Sequence, residues 1–338
     1  PGRAAWWRGR APAKRRLDKG SPRSYAVSVH IQTERSDGEV RVAVETAKQA
    51  TLVDVARMAG VSYQTVSRVI NGHPNVAPAT RKRVLGAIEE LNYLPNASAR
   101  NLVTRRSRTV GIISYGSTYY GPAQMVTHIE ASFRAREYGL TLSTLPEMSL
   151  GALHAAILEL RGRAVDGIVM ITPLANIETS EIQALCRQVP FVMIDIGLGA
   201  PLPSVVIDQR RGGMLAAHHL LDLGHRAIAE IRGPHDWSAA GLRHDGMLAV
   251  LAEAGIAPTH SFEGDWTATS GHAATLQILE EGTPFSALLV GNDQMAVGAM
   301  RALREHGLGV PDGVSVVGFD DLPESAYFEP PLTTVVQD

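Results

Sequence analysis

The sequence predicts two units of different class: a small α helix-turn-helix head and a larger two-lobed α/β body with parallel sheets. Three observations predict it. Residues 51–95 carry short helical periodicities broken at Gly60 and at Asn71-Gly72. From residue 109 the rhythm changes to apolar runs at 109–113, 140–145, 167–171, 190–194, 227–231, 286–290 and 314–319. Helical patterns of about ten to fifteen residues separate these runs, the signature of βαβ crossovers. The charge is segregated too. The net charge of -2 divides into +6 over residues 1–50, +6 over 51–108 and -14 over 109–338. A basic segment beside an acidic one suggests a polyanion-binding head on a body that the same polyanion repels.

The chain begins with a basic leader, residues 1–50, rich in Arg, Lys, Pro, Gly and Ser and without a sustained period, which reads as disordered. It opens at Pro1, and its first methionine, Met58, falls inside the first predicted helix. The expectation is therefore a non-native start, with translation from a non-ATG codon near Val42 or Val44 as one hypothesis. No stretch approaches the roughly 20 apolar residues of a membrane span. The basic N-terminus also lacks the apolar core of a secretory signal. Cys186 is the only cysteine, which excludes an intrachain disulfide and a Cys-rich zinc site and fits a reducing cytoplasm.

The head spans 51–95. Thr51 is a good N-cap, and Leu52, Val55, Ala56 and Ala59 fall on one helical face. Gly60 permits a left-handed turn, Val61 plugs the corner, and Ser62 caps a second helix that turns Val66, Val69 and Ile70 inward. Asn71-Gly72 ends that helix, and Pro78 opens a third, which buries Val84, Ile88 and Leu91. In such a motif the second helix enters the major groove with its first residues aimed at base edges. Here those residues are Tyr63, Gln64 and Thr65, then Ser67 and Arg68, opposite the buried valines. Gln suits adenine and Arg suits guanine.

The run TLVDVARMAGVSYQTVSRVINGHPNVAPATRKRVLGAIEELNYLPNASARNL resembles the head and hinge of the lac/gal repressor family of bacterial transcription regulators. Its AxxAGVSxxTVSRVxN core and later YxPN are highly specific to that family, and the Tyr63-Gln64 pair resembles the lac branch in particular. The resemblance implies that Tyr63, Gln64 and Arg68 read bases of double-stranded operator DNA. It makes Thr51, Ser62, Thr65, Ser67, Asn71 and Thr80 candidate phosphate or capping groups. It also implies a hinge and linker over 96–108, whose segment Asn96–Val103 folds on the operator beside its twin from a second subunit. Leu102 would wedge into the minor groove next to Ala99. Ala97, Ser98 and Val103 depart from the lac pattern and leave the operator's centre open.

The body, 109–338, continues the resemblance through EGDWTATSGH at 263–272, GNDQMAVGAMRAL at 291–303 and VSVVGFDDLPESAYFEPPLTTVVQD at 314–338. Such bodies resemble periplasmic binding proteins, with a ligand cleft between lobes of about 109–207 and 208–336. Asp195, Asn292 and Asp320 each follow an apolar run, where ligands of open α/β sheets lie. The resemblance implies that Asp195, Arg243, Asn292 and Asp320 bind sugar hydroxyls, that Trp266 stacks on the ring and that Gln337 adds a polar contact. Tyr115 and Ile171 replace smaller or more polar groups and make the first-lobe wall bulkier and more apolar. Related chains continue for several dozen residues past the TTVxQD segment, so a C-terminal part is expected to be missing, and dimer versus tetramer stays open.

The resulting expectation is a cytoplasmic, homo-oligomeric repressor of carbohydrate-use genes, released from its operator by a sugar effector, with no cofactor, metal or membrane partner. A non-sugar effector, a corepressor and an activator role remain open alternatives. A sugar-active enzyme is the rival class, but no GxSxG elbow, GxxxxGK[ST] loop or strand-linked GxGxxG is present. HExxH is absent too, and His218-His219 lies in a helical pattern. An exported sugar-binding protein is opposed by the attached head.

Overall fold

The computed structural model describes residues 50–94, 106–173, 179–195 and 201–337. The chain divides into two compact units, one ending at Leu94 and the other beginning at Pro95. The expected leader up to residue 49 and the hinge segment 96–103, with Ala99 and Leu102, lie outside the described residues.

In the first unit, α1 is Leu52–Ala59, α2 Tyr63–Ile70 and α3 Pro78–Glu90. Local chemistry sets each boundary. Thr51 and Asp54 form a reciprocal capping box at the start of α1. Gly60 ends that helix at φ 63°, its N–H returning to the carbonyls of Ala56 and Arg57. The Ser62 hydroxyl accepts the Thr65 N–H and caps α2, Asn71 closes α2, and Pro78 stands in the first turn of α3. Val55, Ala56, Ala59, Val66, Val69, Val84, Ala87 and Tyr93 form the core, with Val61, Ile70, Ile88 and Leu91 packed on it. The helix-turn-helix is formed as its sequence predicts. Tyr93, the tyrosine of YxPN, is an additional core residue.

The second unit holds two parallel sheets. The first comprises β1 (Thr109–Tyr115), β2 (Gly139–Leu145), β3 (Gly167–Ile171), β4 (Phe191–Ile194) and β5 (Ser204–Val205), in the order β2-β1-β3-β4-β5. The second comprises β6 (Ile228–Arg232), β7 (Ser261–Glu263), β8 (Ala287–Val290), β9 (Ser315–Phe319) and β10 (Thr333–Val335), in the order β10-β9-β8-β6-β7. The helices are α4 (Tyr120–Arg134), α5 (Leu150–Gly162), α6 (Thr179–Leu185), α7 (Gln209–Asp222), α8 (Ser238–Glu253), α9 (Ala268–Glu281) and α10 (Asp293–Glu305). Every strand pair is parallel.

All seven apolar runs of the body became strands. Three more, β5, β7 and β10, were not foreseen. Each is two or three residues long, sits at a sheet edge and lacks an apolar run. The first lobe packs Ile113, Leu153, Ile157, Met170 and Met193 into its core. The second has a core on each sheet face, one around Ile231, Ile278 and Leu303 and one around Leu220, Met247 and Leu289. Doubly wound sheets leave their strand ends as the place for a ligand, and the carboxyl ends of β1, β3, β4, β8 and β9 line a common cleft.

Candidate DNA-reading surface and effector cleft

On the first unit, Tyr63, Gln64 and Arg68 are exposed on α2, with Tyr63 60% accessible, while Val66 and Val69 on the opposite face are buried. The 3.6-residue period produces this division. The other head candidates differ in what already occupies them. Thr51 and Ser62 are helix caps. The Thr65 hydroxyl lies 3.0 Å from that of Ser62, and the Asn71 amide donates to the Ser67 hydroxyl at 3.3 Å. Thr80 is half-buried in the first turn of α3. The structure therefore gives Thr51 and Ser62 a capping role and leaves the side chains at 63, 64 and 68 pointing to solvent.

In the second unit, Tyr115, Asp195, Arg243, Trp266, Asn292, Asp320 and Gln337 all line one cleft between the lobes. Arg243 is the centre of its floor, 9% exposed. Its Nε donates to Gln209 Oε1 at 2.8 Å and its Nη1 to the Gly291 carbonyl at 2.5 Å, and its Nη2 pairs with Asp320 at 3.4 Å. Its guanidinium lies over the Phe319 ring at 3.7 Å from the centroid and over that of Trp266 at 5.5 Å, two cation–π contacts.

Gln209, at the start of α7, was missed in the sequence and is the hub of the floor. It is 1% exposed. Its amide nitrogen donates to both Asp195 oxygens at 3.1 and 3.0 Å and to Gln337 Oε1 at 3.2 Å, while its oxygen accepts from Arg243. Gln337 in turn donates to the Asp320 carboxylate. Asp195 belongs to the first lobe and Arg243 to the second, so this amide ties the lobes together. Asn292 is committed on both sides. Its Oδ1 caps α10 by accepting the Met295 N–H at 2.9 Å, and its Nδ2 donates to the Trp266 carbonyl at 3.1 Å.

An aromatic series forms the wall. Trp237, also missed, meets Tyr115 at 5.8 Å, Tyr119 at 5.5 Å and Trp266 at 5.7 Å between centroids. Trp266 is 5% exposed and belongs to the second-lobe core as well as to the cleft. Its indole N–H and the Thr172 hydroxyl, both buried and both in cleft-lining residues, have no protein partner among the described residues. Asp195, Trp266 and Asp320 adopt positive φ of 61°, 72° and 109°. Such strain in non-glycine residues concentrates where a chain is shaped around a ligand.

Burial governs the charges. It pushes the Asp320 carboxyl up to about 6 against the opposing pull of Arg243, and it raises Asp195 against its bonds to Gln209 and the charge of Arg243. The same burial lowers Arg243, while Asp320 and Asp195 oppose it. Asp293 beneath the floor is also raised by burial. It accepts from the Leu322 N–H and from the hydroxyls of Ser325 and Thr334, which fixes the loop after β9. The result is a largely buried floor that offers both acceptors and donors to a neutral polar ligand.

Residues 51–96 match the family profile described as bacterial regulatory proteins, lacI family, and residues 217–338 match a periplasmic binding protein-like domain. The lactose operon repressor of Escherichia coli (strain K12) is 40% identical over 293 residues, covering 86% of this chain and 81% of the relative. The chain belongs to the lacI family of bacterial regulatory proteins. Other lacI-family relatives include catabolite control protein A of Priestia megaterium, 36% identical over 292 residues and covering 85% of this chain and 87% of the relative. Among solved structures, the lac repressor dimer bound to operator and the anti-inducer ONPF is similar with a TM-score of 0.82 and 38% identity, over 86% of this chain and 88% of that one. The CelR–cellobiose complex is similar with a TM-score of 0.62 and 34% identity, over 85% of this chain and 88% of that one. The fold class, a helix-turn-helix head on a periplasmic-binding-protein-like α/β body, agrees with these relatives.

Proposed function

We propose that this lacI-family protein is a cytoplasmic repressor that binds operator DNA as a homodimer and leaves it when a sugar enters the cleft. The observation that carries the reading is the pairing, in one chain, of two features. One is a capped recognition helix with Tyr63, Gln64 and Arg68 on its outer face. The other is a buried floor of Asp195, Gln209, Arg243, Asp320 and Gln337 spanning two lobes. The names of relatives support it: lactose and ribose operon repressors among the sequences, a cellobiose complex and an operator-bound dimer among the structures.

In this reading Tyr63, Gln64 and Arg68 contact base edges, and dimer symmetry places two heads on a pseudo-palindrome. Carboxylates of the floor accept sugar hydroxyls, Arg243 donates as a rigid fork, and Trp266 offers a ring face with its unpaired N–H at the edge. Because Asp195 and Arg243 belong to different lobes, a ligand touching both favours one lobe arrangement over another. No residue is assigned a catalytic role, and the sugar is expected to emerge unchanged.

A gel-shift titration on a synthetic lac-type palindrome, at two salt concentrations and with a panel of galactosides and other sugars, tests the reading. The expected result is specific binding released by one sugar, recovered intact. Specific binding indifferent to every sugar would overturn the effector assignment, and no preference over random DNA would overturn the recognition helix.

A further inference from the structure

Where the chain enters the body, it is held from two sides. Asp166, half-buried in the turn before β3, accepts the Ser107 N–H at 2.8 Å and the Ser107 hydroxyl at 3.2 Å through one oxygen. Its other oxygen accepts the Arg108 N–H at 3.0 Å. The Asp166 N–H donates to the Thr109 carbonyl at 2.8 Å. On the opposite side, the Arg108 carbonyl accepts the Gly139 N–H at 2.8 Å, and its guanidinium pairs with Glu137 at 2.7 Å. Arg108 itself stands at φ 49°, a conformation costly for a side chain this large. Residues 107–109 are thus tied to the starts of both neighbouring strands, β2 and β3.

We propose that Asp166 is a positioning residue for DNA binding, whose carboxylate fixes the direction in which the chain leaves the body toward the head. The inference rests on the DNA-binding reading above. Two converging backbone N–H groups need two acceptors and no donor, which an ionised carboxylate alone among side chains supplies. The Arg108–Glu137 pair is exposed and weak by comparison.

The location gives the clamp its purpose. β1 and β3 pair in register from Val110 with Gly167 to Ser114 with Ile171. Their carboxyl ends, Tyr115 and Ile171, followed by Thr172 and Pro173, line the cleft. A five-residue strand spans about 17 Å and bends little within a sheet. One end of this strand pair therefore meets the effector and the other end carries Ser107 and Arg108. A movement of the first lobe reaches the exit without slack because Asp166 removes the exit's own freedom. Without the carboxylate, the two N–H groups turn to water and the exit direction becomes an ensemble.

The test uses the full chain with Asp166→Asn, which is isosteric, and Asp166→Ala. Affinity is measured for a synthetic lac-type palindrome and for a random duplex of equal length, beside thermal melting and the rate of tryptic cleavage after Arg106 and Arg108. The expected result for Asp166→Ala is a loss of palindrome affinity on the order of tenfold, unchanged affinity for random DNA, faster cleavage and a melting temperature close to wild type. Asp166→Asn keeps one acceptor and turns an N–H₂ toward the second donor, so it shows the same pattern to a smaller degree. A merely structural residue would lower both affinities together. Faster cleavage with an unchanged palindrome-to-random ratio overturns the proposal, as does a ratio unchanged in both variants. Should the alanine variant fail to fold, the isosteric asparagine decides. A wild-type chain without palindrome preference refutes the DNA reading itself, and with it the inference, and that failure is visible before any variant is made.

Discussion

Asp320 carries the clearest pH signal at the scale of single residues. Its folded carboxyl is raised to about 6 by burial, whereas an exposed Asp titrates at about 3.9. Between about pH 4 and 6 the folded chain therefore holds a proton that the unfolded chain has released. The folded state binds more protons there, so this group's contribution falls as pH rises through the window and is flat above it. Asp195 and Asp293, also raised by burial, act in the same sense. Asp320→Asn should flatten this dependence: its urea midpoint should change less favourably than wild type when pH drops from 7 to 4.5. An identical change in both proteins would show that Asp320 is ionised throughout. Asp195, Asn292 and Asp320 were legible in the sequence because each follows an apolar strand, whereas Arg243, Trp266 and Gln337 came from the family resemblance alone. Gln209 and Trp237 were missed. In DQRRGG the glutamine looks like an ordinary solvated helix start, and only the folded chain brings residue 209 beside 195, 243 and 337.

Between elements, the packing of α7 on α8 decides whether that hub can exist. Gln209 and Arg243 lie on these two helices, and the helices approach closely because glycine faces each backbone. A Cβ at Gly213 would overlap the Arg243 carbonyl, and one at Gly246 would overlap the Arg210 carbonyl. Gly213→Ala must push α8 away at the residue that carries the guanidinium. Overpacking of this kind costs about 1–3 kcal/mol, so the denaturation midpoint should fall and sugar affinity should fall with it. Retained stability with weakened sugar binding would mean that the helices slide instead of separating. Neither glycine announced this role in the sequence, since a helical glycine there reads as tolerated weakness. The strands show the same limit. Runs such as Ala287–Val290 were visible because both sheet faces are buried and apolar residues are continuous. Ser204–Val205, Ser261–Glu263 and Thr333–Val335 lie at sheet edges, where pairing with a neighbour, not composition, makes the strand.

For the whole molecule, charge and linkage make the sharpest demand. Residues 1–50 and 51–108 carry +6 each and residues 109–338 carry -14, so attraction to DNA is concentrated in the N-terminal 108 residues while the body opposes it. Affinity for any duplex should therefore fall steeply with salt as counterions are released. The preference for the palindrome, which the proposed function assigns to Tyr63, Gln64 and Arg68, should change much less. The sugar enters this balance only through its differential affinity for two states of the body. If it weakens operator binding by some factor, the operator must weaken sugar binding by the same factor, typically about 5- to 150-fold. Trp237 and Trp266 provide the readout, since both line the cleft, while the remaining two tryptophans, Trp6 and Trp7, lie outside the described residues. Titrating the releasing sugar against fluorescence should give a weaker apparent affinity in the presence of saturating palindrome than with random duplex. Equal affinities would mean that the sugar acts at a place other than this cleft, because a ligand bound across Asp195 and Arg243 cannot shift the head without being shifted in return.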